Sequence, residues 1–570
     1  MRYVALAADY DGTIATHGLV PLAVVDGLRR LGASGRKLVL VTGRELDELL
    51  AIFPQVSVFD RVVAENGALL YCPATRAAKV LGEPPPPEFA AELRRRGVQP
   101  LSVGRSIVAT VTPHENVVLD TIRDFGLELQ VIFNKGAVMV LSAGVNKATG
   151  LAAALQDLHL SARNVAAIGD AENDHALLRS AEFGAAVANA LPTLKRDADW
   201  VSTRSHGEAV IEVIDAILRD DLRAFAPPEP RRKLVLGTRR NGEPAAIPAI
   251  GCDVFVTGPS GSGKSVFVAA LLDQLAAEGY QYCVFDPEGD YAELTRAIVL
   301  GSAERAPTVE ELATALAENA DTCLIVSLAA LSAGQRVPLF KEMLARVNES
   351  RATLGRPHWL VVGEAHALLP AADADPLLRP QEGGASMLCV SVHPEQVARP
   401  VLAAAALVTA LGRDPTAALR PYCEALGMPA PAVPDTAREY TEALGWFTRG
   451  GSAPFVFSLA HAPAKAPEFA AAARPKLADL PPERSFYFRG PDRRQNLRAQ
   501  NLPLFVQIGR GVDDETWLYH LRERDYSRWL ASVLGEGGLS ARVAAIETEG
   551  GSAELTRERI AAAIEAHLRQ

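Results

Sequence analysis

Asp9-Tyr10-Asp11-Gly12-Thr13 directly follows the apolar run YVALAA at residues 3–8, and this junction decides how the first third of the chain is read. A short apolar run ending in a polar turn marks the carboxyl end of a buried strand, where active sites of parallel α/β sheets lie. Gly12 permits a sharp turn there, so two carboxylates two residues apart can reach one point. A carboxylate nucleophile can divide the hydrolysis of a phosphate monoester into formation and breakdown of an acyl phosphate. A second carboxylic acid can protonate the leaving oxygen and then activate water.

The same pattern recurs along the chain in KLVLVTG, NVAAIGD, DVFVTG, QYCVFD, CLIVSL and HWLVVG. Strand, polar turn and helix in alternation predict parallel α/β sheets. Two anions need a cation between them, and Gly169-Asp170-Ala171-Glu172-Asn173-Asp174 supplies carboxylates suited to Mg²⁺. Thr42 and Gly43, after another strand, offer a hydroxyl and backbone N–H groups to phosphate oxygens. Lys147 opens a helical segment and offers a fixed positive charge.

Taken in order, DxDGT, TGR, Lys and GDxxND strongly resemble the haloacid dehalogenase superfamily of phosphatases, in its Cof-type or class IIB branch. Glu65-Asn66-Gly67-Ala68 is typical of that branch too. The resemblance spans about 215 residues. It implies a Rossmann-like parallel sheet with a small α+β cap at about residues 70–144, short for the branch and suited to a small phosphorylated metabolite. It also implies that Asp9 is the nucleophile and Asp11 the general acid/base. Thr42, Gly43, Lys147 and Asn173 would hold phosphate. Asp9, Asp170, Asp174 and the Asp11 backbone carbonyl would hold Mg²⁺.

A second motif, Gly258-Pro259-Ser260-Gly261-Ser262-Gly263-Lys264-Ser265, lies between strand-like DVFVT and a helix-like segment. This is a phosphate-binding P-loop: backbone N–H groups face the phosphates of ATP, Lys264 reaches the outer ones and Ser265 takes Mg²⁺. With DPEGDY at 286–291 and the strand ending in Gly363-Glu364-Ala365-His366, the segment resembles HerA/FtsK-type ATPases of the RecA-like group. That resemblance implies Glu364 as the residue that orients water. Gly363 stands where the family has Asp, with Asp286 a partial replacement, so binding of ATP is better supported than its turnover. Arg413 is a candidate for reaching a neighbouring subunit's γ-phosphate.

The 570 residues exceed one core and suggest three units: a phosphatase at 1–222, a P-loop unit at 232–462 and a small, mainly helical domain at 484–570. Pro- and Ala-rich stretches at 224–233 and 461–483 read as linkers. The last unit interleaves aromatics with Arg (Phe486, Tyr487, Phe488, Arg489, Arg493, Arg494), which suits base stacking or simple packing. Trp517, Tyr519, Leu521, Tyr526 and Trp529 read as its core. A net charge of −10 weighs against a large nucleic-acid footprint without excluding one. The six scattered cysteines, the absence of a membrane-length apolar run and the early acidic residues predict a reduced, cytoplasmic protein away from membranes. An oligomer through the ATPase unit stays open. So does a rival reading, an ATP-driven nucleic-acid motor whose phosphatase trims phosphorylated ends. A small-molecule kinase paired with an opposing phosphatase is the third reading.

Overall fold

The structure is a computed structural model. It describes all residues except 228, 292–296, 319, 373–385, 413, 434–441, 450–451, 460–484, 492–496, 500, 533–536 and 569–570. The chain divides into two compact units, Met1–Ala462 and Pro463–Gln570.

The first unit contains two large sheets. One has eight strands in the order Trp200–Val201, Phe183–Ala186, Val165–Gly169, Ala5–Asp9, Lys37–Val41, Arg61–Ala64, Leu69–Cys72 and Ala77–Val80. The first six are parallel and the last two are added antiparallel. Ala5–Asp9 sits centrally and is buried throughout, which explains its unbroken apolar run: helices cover both faces of such a strand. On one side, Leu22–Ala33 buries Val24, Val25, Leu28 and Leu31 at helical spacing against the helix His206–Asp220.

A separate four-stranded antiparallel sheet, Ser102–Val103, Val108–Val111, Ala137–Ser142 and Leu129–Asn134, packs with helices Pro87–Arg95 and Glu115–Phe125 around Phe89, Leu93, Val118 and Val140. This is the α+β cap. It begins later than the expected residue 70, because Leu69–Cys72 pairs with Arg61–Ala64, Ala77–Val80 pairs with Leu69–Cys72, and both extend the main sheet.

The second sheet has eleven strands. Its parallel part runs Leu407–Ala410, Val254–Thr257, Ser386–Ser391, Trp359–Val362, Tyr282–Asp286, Cys323–Ser327 and Ala297–Leu300. The strand Ser386–Ser391 therefore separates the P-loop strand from the one that ends before Gly363. Four antiparallel strands, Pro244–Pro248, Lys233–Arg239, Phe455–Leu459 and Glu442–Phe447, complete one edge.

The two sheets of the first unit meet at the amino ends of their strands. Tyr280 donates its hydroxyl to Glu182 at 2.8 Å, and Arg356 donates to the His159 carbonyl at 3.1 Å. The stretch expected as a linker at 224–233 is anchored at its end. Arg231 and Arg232 donate to the carbonyls of Leu178, Arg179 and Ala181, capping the helix Asp174–Ser180. The second expected linker lies outside the described residues.

In the other unit, helices Leu502–Gly511, Asp514–Arg522, Asp525–Ser532, Gly537–Glu549 and Ala553–Leu568 surround a small hairpin, Phe486–Phe488 with Leu497–Ala499. Phe486 and Phe488 are buried among Phe505, Trp517, Tyr526 and Trp529. Packing, not base stacking, accounts for them. His520 is buried there too, held by Asp525 at 2.7 Å and by the Arg489 N–H at 3.0 Å. Arg493 and Arg494 lie outside the described residues.

Candidate active sites

Four distant segments converge at the carboxyl end of the eight-stranded sheet. Carboxylate oxygens of Asp9, Asp170 and Asp174 lie within 4.8 Å of one another, all buried. Lys147 joins them, donating to Asp9 Oδ1 at 2.6 Å and to Asp174 Oδ1 at 2.7 Å. Its position is set by a capping box: Asn146 accepts the N–H groups of Ala148 and Thr149, and Thr149 accepts the Asn146 N–H.

Burial, with Asp174 adding to it, raises the Asp9 carboxyl to about 7 against the pull of Lys147. Burial also opposes the Lys147 ammonium, yet Asp174 and Asp9 hold it above the ordinary lysine value. Burial raises Asp170, which Lys135 pulls back.

The remaining oxygens divide by task. Asp174 Oδ2 accepts the backbone N–H groups of Asp170 and Ala171, so this residue shapes the loop and anchors Lys147. Asp170 Oδ1 is buried with no protein partner, as are Thr13 Oγ1 and Asn173 Oδ1. Unpaired buried acceptors beside carboxylates suit a hard cation and its ligands. Gly12 leaves room at the same point, since a Cβ there would lie 2.2 Å from Asp170 Oδ2. The residues present therefore fit Mg²⁺.

The Asp11 carboxylate is partly exposed, and Arg44 grips both its oxygens at 2.7 Å. The Thr42 N–H is already bonded to the Val63 carbonyl, and its hydroxyl oxygen accepts the Arg44 N–H. Of the donors expected at this turn, the Thr42 hydroxyl proton and the Gly43 backbone are the ones left for a phosphate. A Cβ on Gly43 would stand 3.1 Å from Met139 of the cap and 3.7 Å from Asn173. Asn173 itself donates to Asn66 Oδ1 at 2.9 Å.

Arg44 and Glu65 lie within the sequence motifs, which mark no task for either, and no motif contains Lys135. Glu65 is buried and accepts the N–H groups of Arg105 and Ser106, fastening the cap to the core. That places Arg105 at the junction through its backbone. Lys135, on the cap, reaches Asp170. Asn134 precedes it on the same hairpin.

At the end of Val254–Thr257 the P-loop wraps onto the helix Lys264–Ala277. Ser260, Gly261, Gly263, Lys264, Ser265, Asp286 and Glu364 line one cleft, and Gly258, Pro259 and Ser262 line an adjoining hollow. Lys264 donates to the carbonyls of Gly258 and Pro259, both at 3.0 Å. Burial lowers its pKa while Glu364 raises it. Burial, reinforced by Glu288, raises Glu364. Asp286 accepts N–H groups from Gly289 and Tyr291, so its carboxylate folds the DPEGDY turn. That commitment weakens it as a replacement for the missing Asp. A side chain at Gly363 would meet the Phe285 carbonyl at 3.3 Å and the Tyr291 ring at 3.4 Å. Arg413 lies outside the described residues.

A capped α/β lobe with a lysine-bridged carboxylate trio at its strand ends is the architecture of a phosphoryl-handling hydrolase. Family profiles and curated relatives agree. The family profile for haloacid dehalogenase-like hydrolases matches residues 6–81 and 120–214, and an AAA domain profile matches 254–390. The phosphoglycolate phosphatase of Methanothermobacter thermautotrophicus is 32% identical over 220 residues, covering 37% of this chain and 96% of that protein. The phosphoglycolate phosphatase of Methanopyrus kandleri is 32% identical over 223 residues, with 37% and 96% covered. Among solved structures, a Thermoplasma acidophilum protein aligns at 17% identity and a TM-score of 0.35, covering 38% of this chain and 99% of its own. A haloacid dehalogenase-like hydrolase of Bacteroides thetaiotaomicron aligns at 19% and 0.34, covering 38% and 99%. The chain belongs to the haloacid dehalogenase-like hydrolase family through its amino-terminal lobe, a phosphatase domain, and it carries an AAA-type P-loop domain beside it. Among the described residues no helix is long and apolar enough to cross a membrane.

Proposed function

We propose that the protein is a cytoplasmic, Mg²⁺-dependent phosphatase acting on a small phosphate monoester, joined to a module that binds and hydrolyses ATP. The observation that carries the first half is the bridge from Lys147 to Asp9 and Asp174, beside the unpaired Asp170 Oδ1. The names of its relatives point to phosphoglycolate or a similar carboxylated monoester as substrate.

In this reading Asp9 attacks phosphorus, the P–O bond to the alcohol breaks, and Asp11 gives the departing oxygen its proton. Asp11 then takes a proton from water, which attacks the acyl phosphate and releases Asp9 and inorganic phosphate. Asp9, Asp170 and the Asp11 carbonyl would hold Mg²⁺, with Asp174 in support, and the ion would supply charge neutralisation between carboxylate and phosphate. Thr42, Gly43, Lys147 and Asn173 orient the phosphate.

For the second half, Gly258 to Ser265 cradle the nucleotide phosphates and Glu364 orients water, in the manner of HerA/FtsK-type ATPases. The assignment divides labour at 1–222, 232–462 and 484–570, even though the first two share one compact unit. A phosphatase screen with Mg²⁺ over phosphoglycolate, sugar phosphates, nucleotides and DNA ends tests the first half. Release of phosphate from phosphoglycolate is expected, and no turnover of any monoester would overturn it. ATP turnover lost in Glu364→Gln with binding retained tests the second.

A further inference from the structure

Lys135 and Gly136 form the two-residue turn of the cap hairpin between Leu129–Asn134 and Ala137–Ser142. Their φ angles are 47° and 86°. Two left-handed residues in succession suit Asn or Gly at the first position, so a lysine there is held against its backbone preference. The turn places its side chain in the active site. Lys135 Nζ lies 2.5 Å from Asp170 Oδ2 and 3.3 Å from the Asp11 carbonyl, and donates to both. The Lys135 N–H adds a contact to Glu172 Oε2 at 3.4 Å.

The Asp11 carbonyl and the Asp170 carboxylate are assigned above to Mg²⁺, so this inference rests on that reading of the site. An ammonium 3.3 Å from the Asp11 carbonyl and 2.5 Å from Asp170 Oδ2 cannot keep that place beside a divalent ion bound at about 2.1 Å to the same carbonyl and to Asp170 Oδ1, because their charges repel. We infer that Lys135 is a tethered cation that exchanges its seat with Mg²⁺. With no metal bound, it pins the cap hairpin to Asp170. When metal enters, the ammonium leaves and the hairpin is released. Cap opening and metal loading thereby become one event, and Lys135 acts as a positioning residue.

The test is a calorimetric titration of Mg²⁺ into the nucleotide-free full chain without substrate. Asp170→Asn, which should abolish the signal, assigns the isotherm to this site. Lys135→Met should bind Mg²⁺ about fivefold more tightly than the unaltered protein, the scale of a half-exposed ion pair. Equal or weaker binding overturns the inference. Hydrogen exchange on the unaltered protein reads the same event without a variant: amides at 129–142 should exchange faster with Mg²⁺ than without, and unchanged or slower exchange overturns it. A phosphatase screen in which every monoester fails would count against the catalytic reading and leave both measurements decisive.

Discussion

Asn164 and His358, 194 residues apart, are joined by a 2.9 Å hydrogen bond inside the contact between the two sheets. His358 Nδ1 accepts the Gln281 N–H at 2.9 Å, so the ring proton sits on Nε2 and is donated to Asn164 Oδ1. Asn164 Nδ2 donates in turn to the carbonyls of Arg2 and Gly355, at 2.8 and 3.0 Å. Both side chains are fully buried. Asn164 immediately precedes the strand that leads to Asp170, and His358 the strand that leads to Glu364.

Asn164→Leu keeps the bulk and strips the hydrogen bonds, leaving a buried N–H and two carbonyls unpaired. The expected cost is ~3 kcal/mol, with each unpaired group contributing 1 kcal/mol or more. Urea unfolding of the variant beside the unaltered chain measures it.

The same contact should be acid-sensitive. Burial, with Arg356 adding to it, lowers His358 to about 3, below its ordinary value of 6.5. Above pH 6.5 both folded and unfolded chains carry a neutral ring, and this group contributes no slope. Between 6.5 and 3 the unfolded chain takes up a proton that the folded one refuses. Stability should therefore fall by up to about 1.4 kcal/mol per pH unit. Comparing unfolding free energies at pH 7, 6 and 5 with those of His358→Gln isolates the effect, because the variant should lack that part of the slope.

Asp9→Asn should abolish phosphate release while leaving ATP affinity intact. Lys264→Ala should weaken nucleotide binding at least tenfold and leave phosphate release within about twofold, given that one buried charge-assisted contact is worth 1.5–3 kcal/mol. Steady-state phosphate assays and nucleotide titration on both folded variants decide this. Loss of both activities in each would show that the sites are not separate.

Gly67 lies at φ 109°, and a Cβ there would stand 2.0 Å from the Asn146 carbonyl. Asn146 caps the helix that presents Lys147. Gly67→Ala should therefore cost about 3 kcal/mol in backbone strain and displacement. It should also lower kcat about 100-fold, the scale of a misplacement near 1 Å. Thermal unfolding and phosphatase assays read the two effects separately.

How much of this was legible in the sequence follows from the range over which each feature acts. DxDGT and the P-loop are local: strand, turn and glycines fix the backbone within a few residues, so both motifs reveal themselves. Lys135 finds Asp170 across a cap whose docking angle no periodicity encodes. Glu65 grips Arg105 and Ser106 through backbone N–H groups, which any residue type supplies. Asn164 and His358 resemble ordinary polar residues at strand starts, and their pairing depends on how two sheets meet. The aromatic–arginine alternation at 486–489 admitted two readings because a strand has two faces. Phe486 and Phe488 turn inward to the core, while Arg489 lies over the ring of Tyr487, 4.8 Å from its centroid.

The meeting of the two sheets at their strand origins also constrains traffic. Each strand starts at the shared contact and carries its reactive end about 15 Å onward into its own lobe. The strand ends that lead to Asp170 and Glu364 are therefore carried away from the contact that the two strand starts share. A phosphorylated compound released at one would be diluted before it met the other. A mechanical shift that couples ATP to phosphate release has a direct route through the packed interior, across the bond from Asn164 to His358.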